Sequence, residues 1–364
     1  MADGDLMPPS ALIVGALPPP SGGVATHCRE LARALEAAGV HADLLDPRRV
    51  GPDGKDGRPR LVARLALAHL RREIIHVHTN GHNRGSWLLA ALCAAGHLGP
   101  SLLTLHSGLA PDYIRKHARA CRFIAARYDR VIAVNPEIAG ALVAAGLAPS
   151  RIVVAAAFTP SSLAFRLPPP GLAQIRRAHP LLIAAALAPG PEYGASMLLD
   201  AFALVRKRRP DAGLVVYGPG TRAPAFAAAA RARGLGGAVH HLGELGRARA
   251  LAVVAAADVF VRPTLADGDA ISVREAVALG RRVVASAVGA RPPEAALFPA
   301  GDARACAELI FQTLSKRLPE NAHRVDCLPT LLHLYARVDA QVRAVSTGTP
   351  LAMSPETCAA LPDA

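Results

Sequence analysis

The chain reads as one pattern run twice. Short apolar stretches of strand length alternate with amphipathic stretches of helical length, and a proline-rich break separates the runs. The first run holds Ala11-Leu-Ile-Val-Gly15, a helix near Val24 to Ala38, Glu73-Ile-Ile-His-Val-His78 and a helix near Ser86 to Ala95. It continues with Ser101-Leu-Leu-Thr-Leu105, a basic helical stretch, Arg130-Val-Ile-Ala-Val134, a helix from Pro136 ended near Gly146, and Arg151-Ile-Val-Val154. Strands that alternate with helices in this way pair in parallel, because each helix carries the chain back to the same sheet end.

The pattern fails between Pro160 and Pro180, where Pro168-Pro-Pro-Gly171 has linker composition. It resumes with Leu181-Leu-Ile-Ala-Ala185, a helix from about Ser196 to Arg209, Gly213-Leu-Val-Val-Tyr217, and a helix near Ala223 to Arg233. Val239-His-His-Leu242, a short helix, Val259-Phe-Val261 and Val283-Val-Ala285 follow. A last helix starts after Pro329, and the glycine and prolines beyond it predict a frayed end. The expected class is α/β: two Rossmann-like doubly wound domains, 1–160 and 181–330, with a linker at 161–180, a C-terminal helix at 331–345 and a flexible tail at 346–364. Such domains bind ligands at the carboxyl ends of their strands, so the two sheets face a shared cleft.

Composition narrows the partners. At 364 residues and 51% hydrophobic, the chain has enough apolar material for two packed cores. The net charge of +13 attracts nucleic acid, anionic lipid and phosphorylated small molecules alike. One Trp, five Tyr and eight Phe are too few to support base stacking, which argues against a nucleic-acid binder. Six cysteines without a Cys-x-x-Cys pair predict free thiols in a reducing compartment, and the opening residues lack the basic start of a secretory signal. The uncharged run Ser86–Leu105 is broken by Gly96 and by Gly99-Pro100, so it predicts a buried helix, a turn and a strand. The expected location is cytoplasmic.

The chemistry concentrates at Arg262-Pro-Thr-Leu-Ala-Asp267-Gly-Asp-Ala-Ile-Ser-Val-Arg-Glu275-Ala. A strand end runs into an Asp-Gly-Asp loop and then a helix, whose free N–H groups suit anionic or hydroxyl-rich ligands. Glu275 lies about two helical turns beyond Asp267, so both carboxylates can face one cleft. After the first strand, Gly22-Gly23 opens a helix, and the pair lets a ligand approach the backbone. His76 and His78 share one strand face, but no acidic residue stands at ligand-like spacing, so a metal site is not expected. His106 follows the strand Ser101–Leu105, at a sheet end where ligands bind.

The pattern Pro-Thr-x-x-Asp-Gly-x-x-x-Ser-x-x-Glu-Ala resembles the donor motif of the retaining GT-B glycosyltransferases, the bacterial glycosyl transferases group 1, with Asp267 in place of the usual first Glu. Gly22 to Leu31 resembles that family's Gly-Gly-x-x-x-His-x-x-x-Leu opening, and Tyr217-Gly-Pro-Gly220 and His241-Leu-Gly-Glu-Leu245 resemble its nucleotide-side turns. The resemblance spans roughly positions 10 to 310. It implies a retaining hexosyltransferase that moves a sugar from a nucleotide-diphosphate-sugar donor to a glycan or lipid-linked acceptor, as in polysaccharide biosynthesis, with no metal or cofactor.

Carried over by position, it assigns catalysis to His106 and Asp267, with His106 positioning or polarising the transferred sugar. It assigns donor binding to Gly22, Gly23, Gly218, Leu245, Arg262, Asp267, Gly268, Asp269, Ala270, Ile271 and Glu275. His78 and Asn80 fall on the acceptor side. Glu275 would take the ribose hydroxyls, Asp267 the sugar hydroxyls, and the amides around Asp269, Ala270 and Ile271 the sugar and phosphate.

One departure stands out. The family carries an Arg and a Lys in the loop after the second domain's first strand, where they neutralise the donor diphosphate. Here Ala186-Leu-Ala-Pro-Gly-Pro-Glu-Tyr-Gly194 has no cation, and Arg262, Arg274 and Arg291 are the substitutes within reach of the motif. Two alternatives stay open on this reading: a GT-B sugar-nucleotide epimerase, and a nucleotide-sugar binder that has lost catalysis.

The segment 111–130 holds six Arg/Lys against two Asp, a net +4. A helical wheel puts Ile114, Ala118, Cys121, Ala125 and Tyr128 on an inward face, and Lys116, Arg119 and Arg127 with Phe123 on the outward one. An aromatic within a basic face fits either a solvated surface or a helix resting on an anionic membrane.

Overall fold

The computed structural model describes residues 10–18, 22–48, 58–96, 99–158, 163, 166–315 and 326–347. Two six-stranded sheets, parallel throughout, carry helices on their faces. The first sheet has the order β2-β1-β3-β4-β5-β6. Its strands are β1 (Ser10–Val14), β2 (His41–Leu45), β3 (Ile74–Thr79), β4 (Ser101–Leu105), β5 (Arg130–Ala133) and β6 (Ile152–Val154). The intervening helices are α1 (Gly23–Ala37), α2 (Arg58–Arg71), α3 (Arg84–Ala94), α4 (Ala110–Lys116), α5 (Ala118–Ala125) and α6 (Pro136–Ala144). Every residue of β3 and β4 is buried, as expected of central parallel strands covered on both sides.

The second sheet has the order β12-β11-β10-β7-β8-β9. Its strands are β7 (Leu181–Ala186), β8 (Ala212–Tyr217), β9 (Val239–Gly243), β10 (Val259–Arg262), β11 (Arg282–Ser286) and β12 (Ala296–Phe298). Around it lie α7 (Leu172–Ala178), α8 (Ala195–Arg208), α9 (Pro224–Ala232), α10 (Arg247–Ala256), α11 (Ile271–Ala278) and α12 (Ala303–Ser315).

The structure departs from the sequence reading in four places. The basic helix breaks at His117 into α4 and α5, whose inner face buries Ile114, Cys121 and Ala125, while Ala118 is half-buried and the buried Tyr128 lies beyond α5. The stretch 161–180 contains α7, because Leu172 and Ile175 pack on the second domain's core and Arg176 pairs with Asp258 at 2.7 Å. The last helix, α13 (Leu328–Thr347), returns to the first domain, where Cys327, Leu331, Leu334, Tyr335 and Val338 pack with Ile13, Cys28, Leu31 and Ile74. Finally β2, α2, β12 and α12 complete the two units where the sequence reading had placed no elements. The expected tail from Gly348 lies outside the described residues.

Cys28, Cys93, Cys121, Cys306 and Cys327 are free and buried, and Cys358 lies outside the described residues. Burial pushes the Cys28 thiol up to about 12, so it does not serve as a nucleophile. No helix among the described residues is long and apolar enough to cross a membrane.

Candidate active site

β10 ends at Arg262, and the loop that follows delivers Asp267 to the start of α11. One carboxylate oxygen, Oδ2, accepts from Arg262 Nε at 2.8 Å, Thr264 Oγ1 at 3.1 Å and Arg291 Nη2 at 3.2 Å. The other, Oδ1, accepts from the Gly268 N–H at 3.1 Å. Burial raises the Asp267 carboxyl, but the two guanidinium charges outweigh it and leave the pKa lowered, so the group is ionised. Asp269 is wholly enclosed. It pairs with Arg274 Nε at 2.6 Å and accepts from the Ala157 N–H of the first domain at 2.9 Å. Its side chain therefore ties the domains together, and Arg274 is committed to it.

Glu275 sits on the buried face of α11, where Arg247 Nη1 meets its Oε1 at 2.7 Å. The same guanidinium approaches Glu30 of α1, with Nε 3.9 Å from Oε1. Arg247 Nε and Nη2 and Glu30 Oε2 are buried without a hydrogen-bond partner among the described residues, as is the Tyr217 hydroxyl at the end of β8. Buried polar atoms left open on both sides of a cleft are a place for a polar ligand. Burial raises the Glu275 carboxyl, with Arg247 opposing and Glu30 reinforcing the shift.

The first domain contributes four histidines. His27 of α1, His76 and His78 of β3, and His106 after β4 form a ring cluster with centroids 4.0–5.4 Å apart. His78 Nδ1 meets His106 Nε2 at 3.1 Å, a hydrogen bond that requires one donor and one acceptor and hence at least one neutral ring. His76 is fixed by Tyr335 Oη at 2.8 Å and Thr104 Oγ1 at 2.7 Å, so α13 braces the cluster from behind. Desolvation lowers His27 to about 4 and His76 to about 3, and drives His78 and His106 well below 6.5. A neutral His106 can donate or accept a hydrogen bond but is a weak base. Among the described residues no group of three or more His, Cys, Asp or Glu could hold a metal ion.

The two halves meet where His106 and Asp267 were expected to work. A Cβ on Gly108 would fall 2.1 Å from the Asp267 carbonyl oxygen, and one on Gly268 would fall 1.9 Å from that of His106. Only glycine permits this backbone approach. Asn135 Nδ2 adds a bond to the Gly268 carbonyl at 3.1 Å.

Among the other sequence candidates, Gly22 is the extended N-cap of α1, and a Cβ there or at Gly23 would touch nothing. No packing demand explains that pair. Gly218, with φ +119 and a Cβ position 2.0 Å from the Leu187 carbonyl oxygen, brings the β8 turn against the loop after β7. Ala270 caps α11, Ile271 opens it, and Leu245 packs half-buried before α10. Asn80 is exposed beside His106, its carbonyl accepting from Ser107 N–H at 3.1 Å.

Sequence reasoning missed Glu30, Arg247, Thr264 and Tyr335. A signal existed for Arg247: a cation as the first residue of a helix opposes the helix dipole and needs an external partner.

Two parallel α/β domains whose strand ends face each other across these side chains define the GT-B fold. Residues 21–157 match the family model Glycosyltransferase Family 4, and residues 178–316 match Glycosyl transferases group 1. The chain thus carries two glycosyltransferase domains in tandem on a GT-B fold. Among solved structures, Anabaena HepE in complex with UDP and glucose is similar at 17% identity and TM-score 0.64, over 93% of this chain and 99% of that one. Sucrose-phosphate synthase from Thermosynechococcus elongatus is similar at 20% identity and TM-score 0.65, over 93% and 98%. A putative UDP-N-acetylglucosamine 2-epimerase from Listeria monocytogenes is similar at 14% identity and TM-score 0.59, over 94% and 98%. These likenesses are of fold. No curated protein matches the chain by sequence.

Proposed function

We propose that the protein is a retaining glycosyltransferase that transfers a hexose from a nucleotide-diphosphate sugar to a glycan or lipid-linked acceptor at the cytoplasmic face of a membrane. The observation that carries this reading is the junction of His106–Gly108 with Asp267–Gly268. It brings a neutral imidazole and an ionised carboxylate to the shared carboxyl edge of two parallel sheets. Glu275 takes the ribose hydroxyls. Asp267 Oδ1, which the protein loads with a single N–H, takes the sugar hydroxyls. The amides of Asp269, Ala270 and Ile271 support sugar and phosphate, and Gly22, Gly23, Gly218 and Leu245 line the donor's path. His78 and Asn80 face the acceptor.

The basic face of α4 and α5 gives the membrane part its support. Phe123 is 65% exposed with Arg127 stacked on it, 5.0 Å from the ring centroid. An open cavity of about 460 Å³ beside it is lined by Arg122, Arg127, Arg151 and Leu147.

A thermal-shift panel of nucleotide diphosphates tests donor recognition, since a ligand that binds only the folded state raises its melting temperature. Turnover with the sugar nucleotide so found then separates the chemistries. Transfer only when acceptor is present supports the reading, whereas conversion of the donor alone is epimerase behaviour and overturns it.

A further inference from the structure

Charge at one end of the cleft does not cancel locally. At the carboxyl end of β10 two guanidiniums, Arg262 and Arg291, share the single carboxylate of Asp267. Toward α1, Arg247 faces the carboxylates of Glu275 and Glu30. Arg274 is cancelled one-to-one by Asp269, whose side chain is fully enclosed. Arg33 also pairs with Glu30, at 3.1 Å, so charge cancels at the α1 end, and the cleft is one charge positive at its β10 end. A buried excess of positive charge is costly until an anion reaches it.

The two arginines at the positive end differ in what they still offer. Arg291 is 2% exposed. Its nitrogens all donate within the protein: Nε to the Ser286 carbonyl, Nη1 to the Ala290 carbonyl, and Nη2 to Thr264 and Asp267. Arg262 is held at Nε by Asp267 and at Nη1 by the Ala186 carbonyl at 3.2 Å, while its Nη2 donates to none of the described residues. Ala186 ends β7, and the Tyr193 ring of the following loop lies 5.5 Å from the guanidinium. Arg262 therefore projects from β10 into the loop that has no cation of its own. Burial, with a smaller repulsion from Arg262, lowers the Arg291 pKa against the opposing charge of Asp267.

We propose that Arg262 binds and neutralises the diphosphate of the donor, and that Arg291 is the positioning residue whose charge balances Asp267 and leaves that of Arg262 available. The proposal rests on the nucleotide-sugar reading above. In the transfer, the bond from sugar C1 to the diphosphate oxygen breaks with its electron pair on that oxygen. The acceptor hydroxyl oxygen bonds C1, and its proton passes to the departing diphosphate. Negative charge grows on the leaving oxygen, and a guanidinium already fixed by Asp267 and Ala186 stabilises it without rearranging. Its planar fork can keep one edge on the protein and give the other to phosphate, which a lysine ammonium cannot do.

Calorimetric binding of UDP, ADP and GDP, each paired with its nucleoside, tests this on the full chain. The wild type is expected to bind one diphosphate at least about tenfold more tightly than the nucleoside. Arg262→Gln should remove that preference while nucleoside affinity stays within about twofold. Arg291→Gln should erode it too, since Asp267 then cancels Arg262, and Arg291→Lys should restore most of it. If Arg262→Gln does not fold, Arg262→Lys is expected to lose at least about fivefold in diphosphate affinity, and undiminished affinity overturns the proposal. A preference retained in Arg262→Gln also overturns it. A wild type that binds nucleoside and diphosphate alike overturns the proposal and leaves nucleotide recognition standing, whereas one that binds neither overturns both.

Discussion

Arg247 and Glu275 form a buried ion pair, 2.7 Å from Nη1 to Oε1, in which the cation opens one helix and the anion lies inside another. Glu30 of the first domain completes it, so the carboxylate proposed for the ribose is already part of an interdomain contact. Arg247→Met leaves the buried Glu275 carboxylate without its cation, while Glu30 keeps Arg33, and should cost about 3–5 kcal/mol. Glu308→Gln, which breaks a half-exposed pair with Arg208 at 3.0 Å, should cost under about 1 kcal/mol. Urea unfolding of the two variants checks the contrast, and equal losses would count against it.

The two motif carboxylates should fail in different ways. Glu275→Gln is expected to weaken donor binding, because ribose contacts are the same in ground and transition states. Asp267→Asn is expected to lower kcat more than it raises KM, because it contacts the sugar as charge develops and also anchors Arg262. Steady-state kinetics decide, and unchanged constants in both would remove the site.

Much of this was legible beforehand. Central strands such as β4 were read at their observed bounds because nothing but apolar and small residues fits between two helix layers. β2 is not legible in the sequence, since at the sheet edge only Leu45 of His41–Leu45 is buried and the apolar signal is thin. Asp267, Glu275, His78 and His106 are legible as candidates from local motifs. Glu30, Arg247 and Tyr335 are not, because their partners lie on the other domain or on a helix that folds back from the far end of the chain.

The histidine cluster sets an acid limit. His27 and His76 are neutral when folded, at about 4 and about 3, but ionise near 6.5 when the chain unfolds. Below 6.5 the unfolded state binds more protons. Stability is therefore full above that pH and falls as pH drops toward 4, by about 1.4 kcal/mol per pH unit for each histidine. Melting temperatures between pH 7.5 and 4.5 report this, and His76→Asn should flatten the slope. A pH-independent melting temperature would contradict it.

Closure of the cleft should tolerate no side chain at its tightest point. Gly108→Ala places a methyl 2.1 Å from the Asp267 carbonyl oxygen, while Glu275 on the ribose side of the cleft is untouched. Turnover should fall by more than about tenfold with nucleoside affinity within about twofold. Loss of both in parallel would argue against a role in closure.

Peripheral membrane binding should depend on Phe123 and the arginines around it. Co-sedimentation with anionic vesicles at low salt should drop in Phe123→Ser and in Arg122→Ser/Arg127→Ser, and should vanish at high salt. Equal pelleting with neutral vesicles would contradict it.

The most direct test of the central claim is the anomeric configuration of the product. With the sugar nucleotide identified by thermal shift and its acceptor supplied, NMR of the new glycosidic linkage should show the donor's own configuration at C1, and no donor should be consumed when acceptor is omitted. An inverted linkage would contradict retention, and donor conversion without acceptor would contradict glycosyl transfer altogether.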